Sequence, residues 1–352
     1  MTPLHVAHVV DRACPAAARY CDLVRGGLPA DGYRHTVLER PTGLDWQQAW
    51  RLAQDTALRS ADVVHLWDRW SVRRVGPLVG RRAAARTVCT LHGPRRGDYL
   101  SDVWLERFTL GRAARIVSHD AAVRDDWMSG RGAGAKMIAD RWSILPVGVE
   151  QIGDVRISTA RAALRTAMGI EPQAPVMGVA AHLVPDANVK DVVWAAALLR
   201  VLHPDLRTVV IGAGPQLPTL RRFIRLMRVA DIVTVLDVPG RTPADAVAGL
   251  DVYVDPSRWT GPAPGITAAQ SAGIPVLCVD TPIRRRQIAV DRSGHVFAEH
   301  DRAALVRRLR KLLIDADDRT RMAIAARDWA AGQPKIAEVV AQYGEIYQSI
   351  AL

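Results

Sequence analysis

Val176-Met-Gly-Val-Ala-Ala181, the stretch from Val189 to Leu202, and Arg207-Thr-Val-Val-Ile211 running into Gly212-Ala-Gly214 decide the fold. A short apolar run, a longer amphipathic stretch and a second apolar run ending at glycine predict a strand, a helix and a parallel strand. The alternation continues with a helix over Leu217 to Val229 and strands over Ile232 to Leu236, Val252 to Val254 and Pro275 to Val279. Asp301 is placed to cap a helix ending near Ile314, where Leu305, Leu309, Leu312 and Leu313 form one apolar face.

Working back toward the start, the same pattern fills the first half. Strands are predicted over Leu4 to Val10, Tyr33 to Leu38, Ala61 to Trp67, Arg86 to Leu91 and Arg115 to Ser118, and a strand with turn over Trp142 to Val149, with a helix over Trp104 to Ala114. Between the halves, a short helical segment from Ser158 to Met168 is followed by Pro172 and Pro175, which suits a linker. A last helix, Ile336 to Ile350, is long enough to cross back to the first half. The expected domains are therefore 1–165, 166–335 and a crossover helix at 336–352. A chain of 352 residues is too long for one ordinary core and fits two.

Composition narrows the class. Apolar residues make up 49% and charged residues 24%, a globular balance that excludes disorder. No apolar run approaches the length of a membrane span, and the first ten residues lack the basic region and long apolar core of a leader, so a cytoplasmic protein is expected. The four cysteines, Cys14, Cys21, Cys89 and Cys278, form no Cys-x-x-Cys pair; buried free thiols are expected rather than a metal site. The net charge of +11 comes from arginine and suggests attraction to polyanions, but no nucleic-acid-binding motif accompanies it.

Several residues stand where chemistry is done. Ligands of open α/β sheets bind beyond the carboxyl ends of strands, and His92 and His119 each follow the end of a predicted strand. His92 is suited to hydrogen-bond a sugar hydroxyl, with a backbone-satisfied loop histidine as the alternative. His65, inside an apolar strand, is expected to be a hydrogen-bonded core histidine. Gly212-Ala-Gly214 lacks the third glycine of a dinucleotide fingerprint, so a tight strand-to-helix turn is the better reading. Arg69, Arg73, Arg74, Arg81, Arg82 and Arg86, with Arg95 and Arg96, make a basic region able to rest on anionic lipid at the inner membrane face; a solvated helix face is the alternative.

Taken in order, these segments resemble the retaining GT-B glycosyltransferases of the family-4-like group. Ala61-Asp-Val-Val-His65, Leu91-His-Gly93 and Ile144-Leu-Pro-Val-Gly-Val-Glu150 are similar to that family's acceptor-domain landmarks. Gly212-Ala-Gly-Pro215, Leu250-Asp-Val-Tyr-Val-Asp-Pro-Ser257 and Ser271-Ala-Gly-Ile-Pro-Val276 are similar to its donor-domain landmarks. The resemblance implies two Rossmann-like parallel-sheet domains facing a cleft. It also implies transfer of a sugar from a nucleotide-sugar to an acceptor, with no metal or other cofactor required.

A departing diphosphate needs positive charge, and sugar and ribose hydroxyls need carboxylates. Where the family places an arginine and a lysine at the diphosphate, this chain has His182 and Ala187, with Lys190 three residues further on. Its two glutamates, separated by seven residues, fall here on Thr260 and Ala268. Pro262 and Pro264 each remove a backbone donor from the intervening loop, leaving Gly261 and Gly265. The family's glycine pair and following glutamate correspond to Pro282, Ile283 and Arg286, and its glycine-rich first turn to Cys14-Pro-Ala-Ala-Ala18. The catalytic candidates are thus His92 and His119, and the donor-binding candidates are His182, Lys190, Gly212, Gly214, Thr260, Gly261, Gly265, Arg284 and Arg286. Two readings stand open: an active transferase in which His182, Lys190 and Arg284 to Arg286 supply the missing cations, or a non-catalytic relative that binds or scaffolds.

Overall fold

In the first strand, β1 (Leu4–Val10), every residue after Leu4 is buried, as a strand covered on both faces requires. The computed structural model describes residues 2–41, 45–93, 99–129, 138–237, 243–258 and 261–351. The chain divides into two units, residues 1–147 with 336–352 and residues 148–335.

In the first unit β1 is joined by β2 (Tyr33–Glu39), β3 (Val63–Leu66), β4 (Thr87–Leu91), β5 (Arg115–Ser118) and β6 (Trp142–Ile144). They form one parallel sheet in the order β2-β1-β3-β4-β5-β6. Alternate residues enter two cores: Ala7, Val64, Cys89 and Ile116 face one, and Val6, Val63, Val88 and Val117 the other. This is the period of two that a pleated strand imposes. The first core is closed by side chains such as Leu52, Leu58, Leu110 and Trp127. The second is closed by Tyr20, Cys21 and Val24 of the helix Pro15–Gly27, and by Val339, Val340, Tyr343 and Tyr347 of the last helix, Ile336–Ala351.

The second unit repeats the plan with β7 (Val176–Ala180), β8 (Arg207–Ile211), β9 (Val233–Leu236), β10 (Val252–Asp255), β11 (Val276–Val279) and β12 (Gly294–Phe297). Their order is β12-β11-β10-β7-β8-β9, again all parallel. Asp301 caps the helix Arg302–Ile314 by accepting the Ala304 N–H at 2.8 Å, and Leu305, Leu309 and Leu312 are buried. Cys21, Cys89 and Cys278 are buried free thiols and Cys14 is partly buried.

Three features differ from the sequence reading. The division lies between Val147 and Gly148 rather than near residue 165, because the helix Asp154–Met168 belongs to the second unit. There Leu164 packs in a core with Val247 and Leu250, and Arg161 and Arg165 grip Asp251 at 2.5 and 2.8 Å. The edge strand β12 is too short and too mixed in composition to stand out from sequence. In the strand with turn predicted from Trp142 to Val149, the strand is confined to Trp142–Ile144, ahead of Pro146.

The second core of the first unit contains histidines where aliphatic residues are usual. Trp67 donates its indole N–H to His8 Nδ1 at 2.9 Å, so the proton of a neutral His8 sits on Nε2 and faces His35 Nδ1 at 2.9 Å. His65 bonds Tyr347 through Nδ1 at 2.6 Å and Thr90 through Nε2 at 2.7 Å, and its ring stacks on Trp67 at 3.7 Å. His65 is therefore the satisfied core histidine expected from its place in the strand.

Burial is the first cause that holds all these imidazoles neutral. It pushes His8 down to about 3 from an ordinary 6.5, lowers His35, and drives His65 well below that value. An unfolded chain takes up these protons near pH 6.5 and the folded chain only far below it, so the unfolded state binds more protons in between. Stability is complete above about pH 6.5 and falls as pH drops toward those folded values, by up to about 1.4 kcal/mol per pH unit for each histidine. Thermal unfolding followed from neutral pH downward will show a midpoint that declines steadily below about pH 6. A flat profile would contradict neutral burial.

Candidate functional site

In an open α/β sheet the ligand crevice lies outside the carboxyl ends of strands, where the strand order reverses. In the second unit the reversal falls between β7 and β10, so the loops after these two strands frame the candidate site. Asp186 and Arg258 join them: the Asp186 carbonyl accepts the Arg258 N–H at 2.9 Å, and its carboxylate takes the Arg258 guanidinium at 2.8 Å. Arg258 also approaches Glu299, past the end of β12, at 3.4 Å. Asn188, in the left-handed region at φ 48°, donates its side-chain amide to the Pro256 carbonyl at 3.3 Å.

Gly212 and Gly214 sit at φ 143° and 150°, a region that side chains rarely adopt. A Cβ on Gly212 would run into the Ala181 carbonyl, and one on Gly214 would lie 2.7 Å from Leu183 backbone atoms. The Leu183 N–H bonds the Ala213 carbonyl at 2.8 Å, and the Leu183 carbonyl accepts the Gln216 N–H at 2.8 Å. The close approach that these glycines permit is therefore made to the loop carrying His182, whereas the sequence reading had placed them on a donor. Gly265 is occupied in the same sense, because a Cβ there would strike the Tyr253 hydroxyl, which bonds the Ala180 carbonyl at 3.3 Å.

Arg284 is placed differently from its expected role as a diphosphate cation. It is 1% exposed, and its guanidinium meets Asp255 at 3.1 Å, the Gly261 carbonyl at 3.0 Å, Gln287 at 3.0 Å and the Ser257 hydroxyl at 3.2 Å. A charge this deep is retained only with such partners. Its work is to hold Asp255, Ser257 and Gly261 together beneath the surface. Arg285 pairs with Asp280 through two bonds of 2.5 and 2.7 Å.

Of the other donor-binding candidates, His182 and Arg286 are exposed. Lys190 is exposed too, with its ammonium 5.7 Å from the centre of the Phe223 ring on the helix Leu217–Leu226. Thr260 lies outside the described residues. The structure thus gathers His182, Gly212 and Gly214 in one loop pair, and Gly261 with Arg284 in another. Arg258, Asp186 and Glu299 were not singled out from sequence; they sit in loops without a motif, and only the fold brings them together.

In the first unit the reversal falls between β1 and β3. Asp68, just beyond β3, accepts the Asp11 N–H at 2.7 Å and the Ser71 N–H at 2.8 Å, which ties the two loops. Burial pushes its carboxyl up to about 6 against those hydrogen bonds. His92 and His119, at the ends of β4 and β5, stack at 5.2 Å, and Tyr20 stacks on His119 at 4.1 Å. His119 Nδ1 bonds the Leu145 carbonyl at 3.0 Å, and His92 interacts with the Trp67 backbone. Burial lowers His119 to about 4 and His92 well below 6.5. Both are neutral imidazoles able to exchange hydrogen bonds with a hydroxyl, though deeply placed.

Part of the basic region is spent on internal pairs. Arg73 meets the fully buried Glu106 at 2.8 Å, Arg69 approaches it at 3.8 Å, and Arg74 meets Asp102 at 2.9 Å. Arg81 and Arg82 remain exposed, and Arg95 and Arg96 lie outside the described residues.

Replacing Arg284 with Met will strand Asp255 and cost about 3 kcal/mol in chemical denaturation. Pairing it with Asp255→Asn will recover part of the loss. An unchanged midpoint for the single variant would remove the strut.

The Glycosyl transferases group 1 family matches residues 161–329. A "GDP-mannose-dependent alpha-(1-6)-phosphatidylinositol monomannoside mannosyltransferase" of Mycolicibacterium smegmatis is 26% identical over 272 residues, covering 73% of this chain and 68% of the relative. A "D-inositol 3-phosphate glycosyltransferase" of Stackebrandtia nassauensis is 31% identical over 204 residues, covering 54% of this chain and 45% of the relative. The chain thus spans about two thirds of the first relative's length and less than half of the second's. Among solved structures, Anabaena HepE in complex with UDP and glucose superposes with a TM-score of 0.78 at 16% identity, covering 98% of this chain and 100% of that one. The second unit thus carries a Glycosyl transferases group 1 domain, and the two parallel six-stranded sheets have the GT-B fold.

Proposed function

We propose that this protein transfers a hexose from a nucleotide-diphospho-sugar to an acceptor with retention at the anomeric carbon, the second unit holding the donor and no metal or cofactor taking part. The observation that carries this reading is the coincidence of the group 1 domain with the reversal between β7 and β10. Loops at such a reversal offer backbone and side-chain groups to a phosphorylated ligand. The named relatives make GDP-mannose and a UDP-sugar the first donors to test, and an acceptor bearing a phosphorylated inositol the first acceptor.

The donor site departs from the family pattern in its electrostatics. The helix Pro264–Ser271 opens on a proline, which offers no N–H to a phosphate, and its N-cap, Ala263, has no side-chain cap. Positive charge at the diphosphate must come from exposed side chains such as Lys190, since Arg284 is committed to Asp255. A weakly held donor is the consequence, each missing charge-assisted contact being worth about 1.5–3 kcal/mol.

The same facts favour a second reading, in which the chain keeps the fold as a binding or scaffolding partner. Arg284 and Arg285 are paired with local acids, and an alanine stands at the position of the family's second glutamate.

Thermal unfolding with GDP-mannose, UDP-glucose and ADP-glucose separates the two. A ligand that binds only the folded state stabilises it, by about 2.7 kcal/mol at a hundredfold excess over Kd. One donor is expected to raise the midpoint and to release free nucleotide diphosphate on incubation with acceptor. Silence with every donor would sink the catalytic reading and leave the second.

A further inference from the structure

The segments that follow β7, β10 and β12 meet at one cation. Arg258 stands three residues beyond β10, its guanidinium takes the Asp186 carboxylate at 2.8 Å, and it approaches Glu299 at 3.4 Å. Asp186 lies beyond β7 and Glu299 beyond β12, so Arg258 sits at the reversal of strand order, where a ligand of an open α/β sheet is received.

This cluster differs in kind from the buried pair close by. Arg284 is 1% exposed and cannot leave Asp255 without stranding a charge away from water. The side chains of Arg258, Asp186 and Glu299 are 38%, 43% and 44% exposed. Ion pairs in contact with water hold weakly, and their members exchange partners at small cost. The backbone does not depend on them, because the Arg258 N–H bonds the Asp186 carbonyl at 2.9 Å and joins the two segments whatever the side chains do. A guanidinium is also the better group for a diphosphate, since its planar fork of N–H donors matches two phosphate oxygens at once. Lys190 is less well placed: it stands on the helix Val189–Leu199 with its ammonium against the Phe223 ring.

We propose that Arg258 is the diphosphate-binding cation of the second unit, and that Asp186 and Glu299 are its resting counter-ions, which an incoming nucleoside diphosphate displaces. This assignment rests on the donor-holding role given to the second unit above. The two carboxylates compete with the ligand for one guanidinium, so donor affinity is set by an exchange of partners. Removing a competing acid therefore tightens binding, the reverse of what removal does to a brace.

Isothermal titration calorimetry of the purified full chain with UDP, GDP and ADP tests the assignment. Arg258→Gln is expected to weaken binding of whichever diphosphate the wild type takes by about tenfold. Arg258→Lys, which keeps the charge but loses the fork, weakens it less. Asp186→Asn is expected to tighten binding about threefold, the size of effect that an exposed ion pair supports. In the Arg258→Gln background the same change should do little, because no guanidinium is left to release. A gain in affinity cannot come from a misfolded chain, and the unfolding midpoints are expected to stay within a degree or so of the wild type, about what an exposed pair allows. If Arg258→Gln and Asp186→Asn both weaken binding, the cluster is a brace and the proposal is overturned. An equal gain from Asp186→Asn in both backgrounds overturns it too, since it marks a general loss of negative charge. Wild-type binding that Arg258→Gln leaves untouched overturns the assignment of Arg258 while the donor reading stands. Silence of the wild type and of Asp186→Asn toward all three diphosphates sinks both.

Discussion

Everything in this protein follows from parallel strands that must be covered on both faces. A parallel sheet takes its crossovers over its faces, and its strands lose water on both sides. In the first unit this demand is met on one face by elements that follow in sequence, and on the other by the helix Pro15–Gly27 together with the last helix of the chain. The last helix brings Tyr343 and Tyr347 to Thr90 and His65. Residues from opposite ends of the chain complete one core, and a polar ladder within it replaces purely apolar packing. Such a ladder is costly when any member is left unbonded, which fixes the seating of the helix as well as its presence.

The second unit solves the same problem with apolar residues and places its polar groups at the strand ends. Asp255 and Arg284 are buried there as a pair, with Gly261 and Ser257 bonded to the same guanidinium. A buried pair of this kind contributes little net stability but forbids alternatives, because separating the partners leaves a charge without water. Its effect is to hold Asp255, Ser257 and Gly261 together at the end of β10. The glycines after β8 act in the same direction by letting the loop after β7 settle on them.

Charge follows one rule across the molecule. The arginines nearest an acid are drawn into pairs, as Arg69, Arg73 and Arg74 are around Glu106 and Asp102, while those on outward helix turns stay in water. The formal excess of +11 is therefore not spread evenly over the surface in effect.

The order of strands and helices was legible in the residues, because runs such as Leu4–Val10 and Arg207–Ile211 are apolar, short and bounded by polar or glycine residues. The cap at Asp301, the core role of His65 and the place of the last helix were legible for the same local reasons. The edge strand β12 was not, since four residues containing glycine and histidine carry too weak a pattern. Nor was the fate of Arg284: its partner Asp255 is distant along the chain, and the sequence shows a cation without saying whether it is spent inside or offered to a ligand. Gly212 and Gly214 announce a close approach but not to what. Local propensity and periodicity are properties of neighbouring residues and can be read one segment at a time. Which charges are neutralised, which glycines meet backbone and which aromatic rings face water depend on residues brought together from distant segments, and tertiary structure alone decides them.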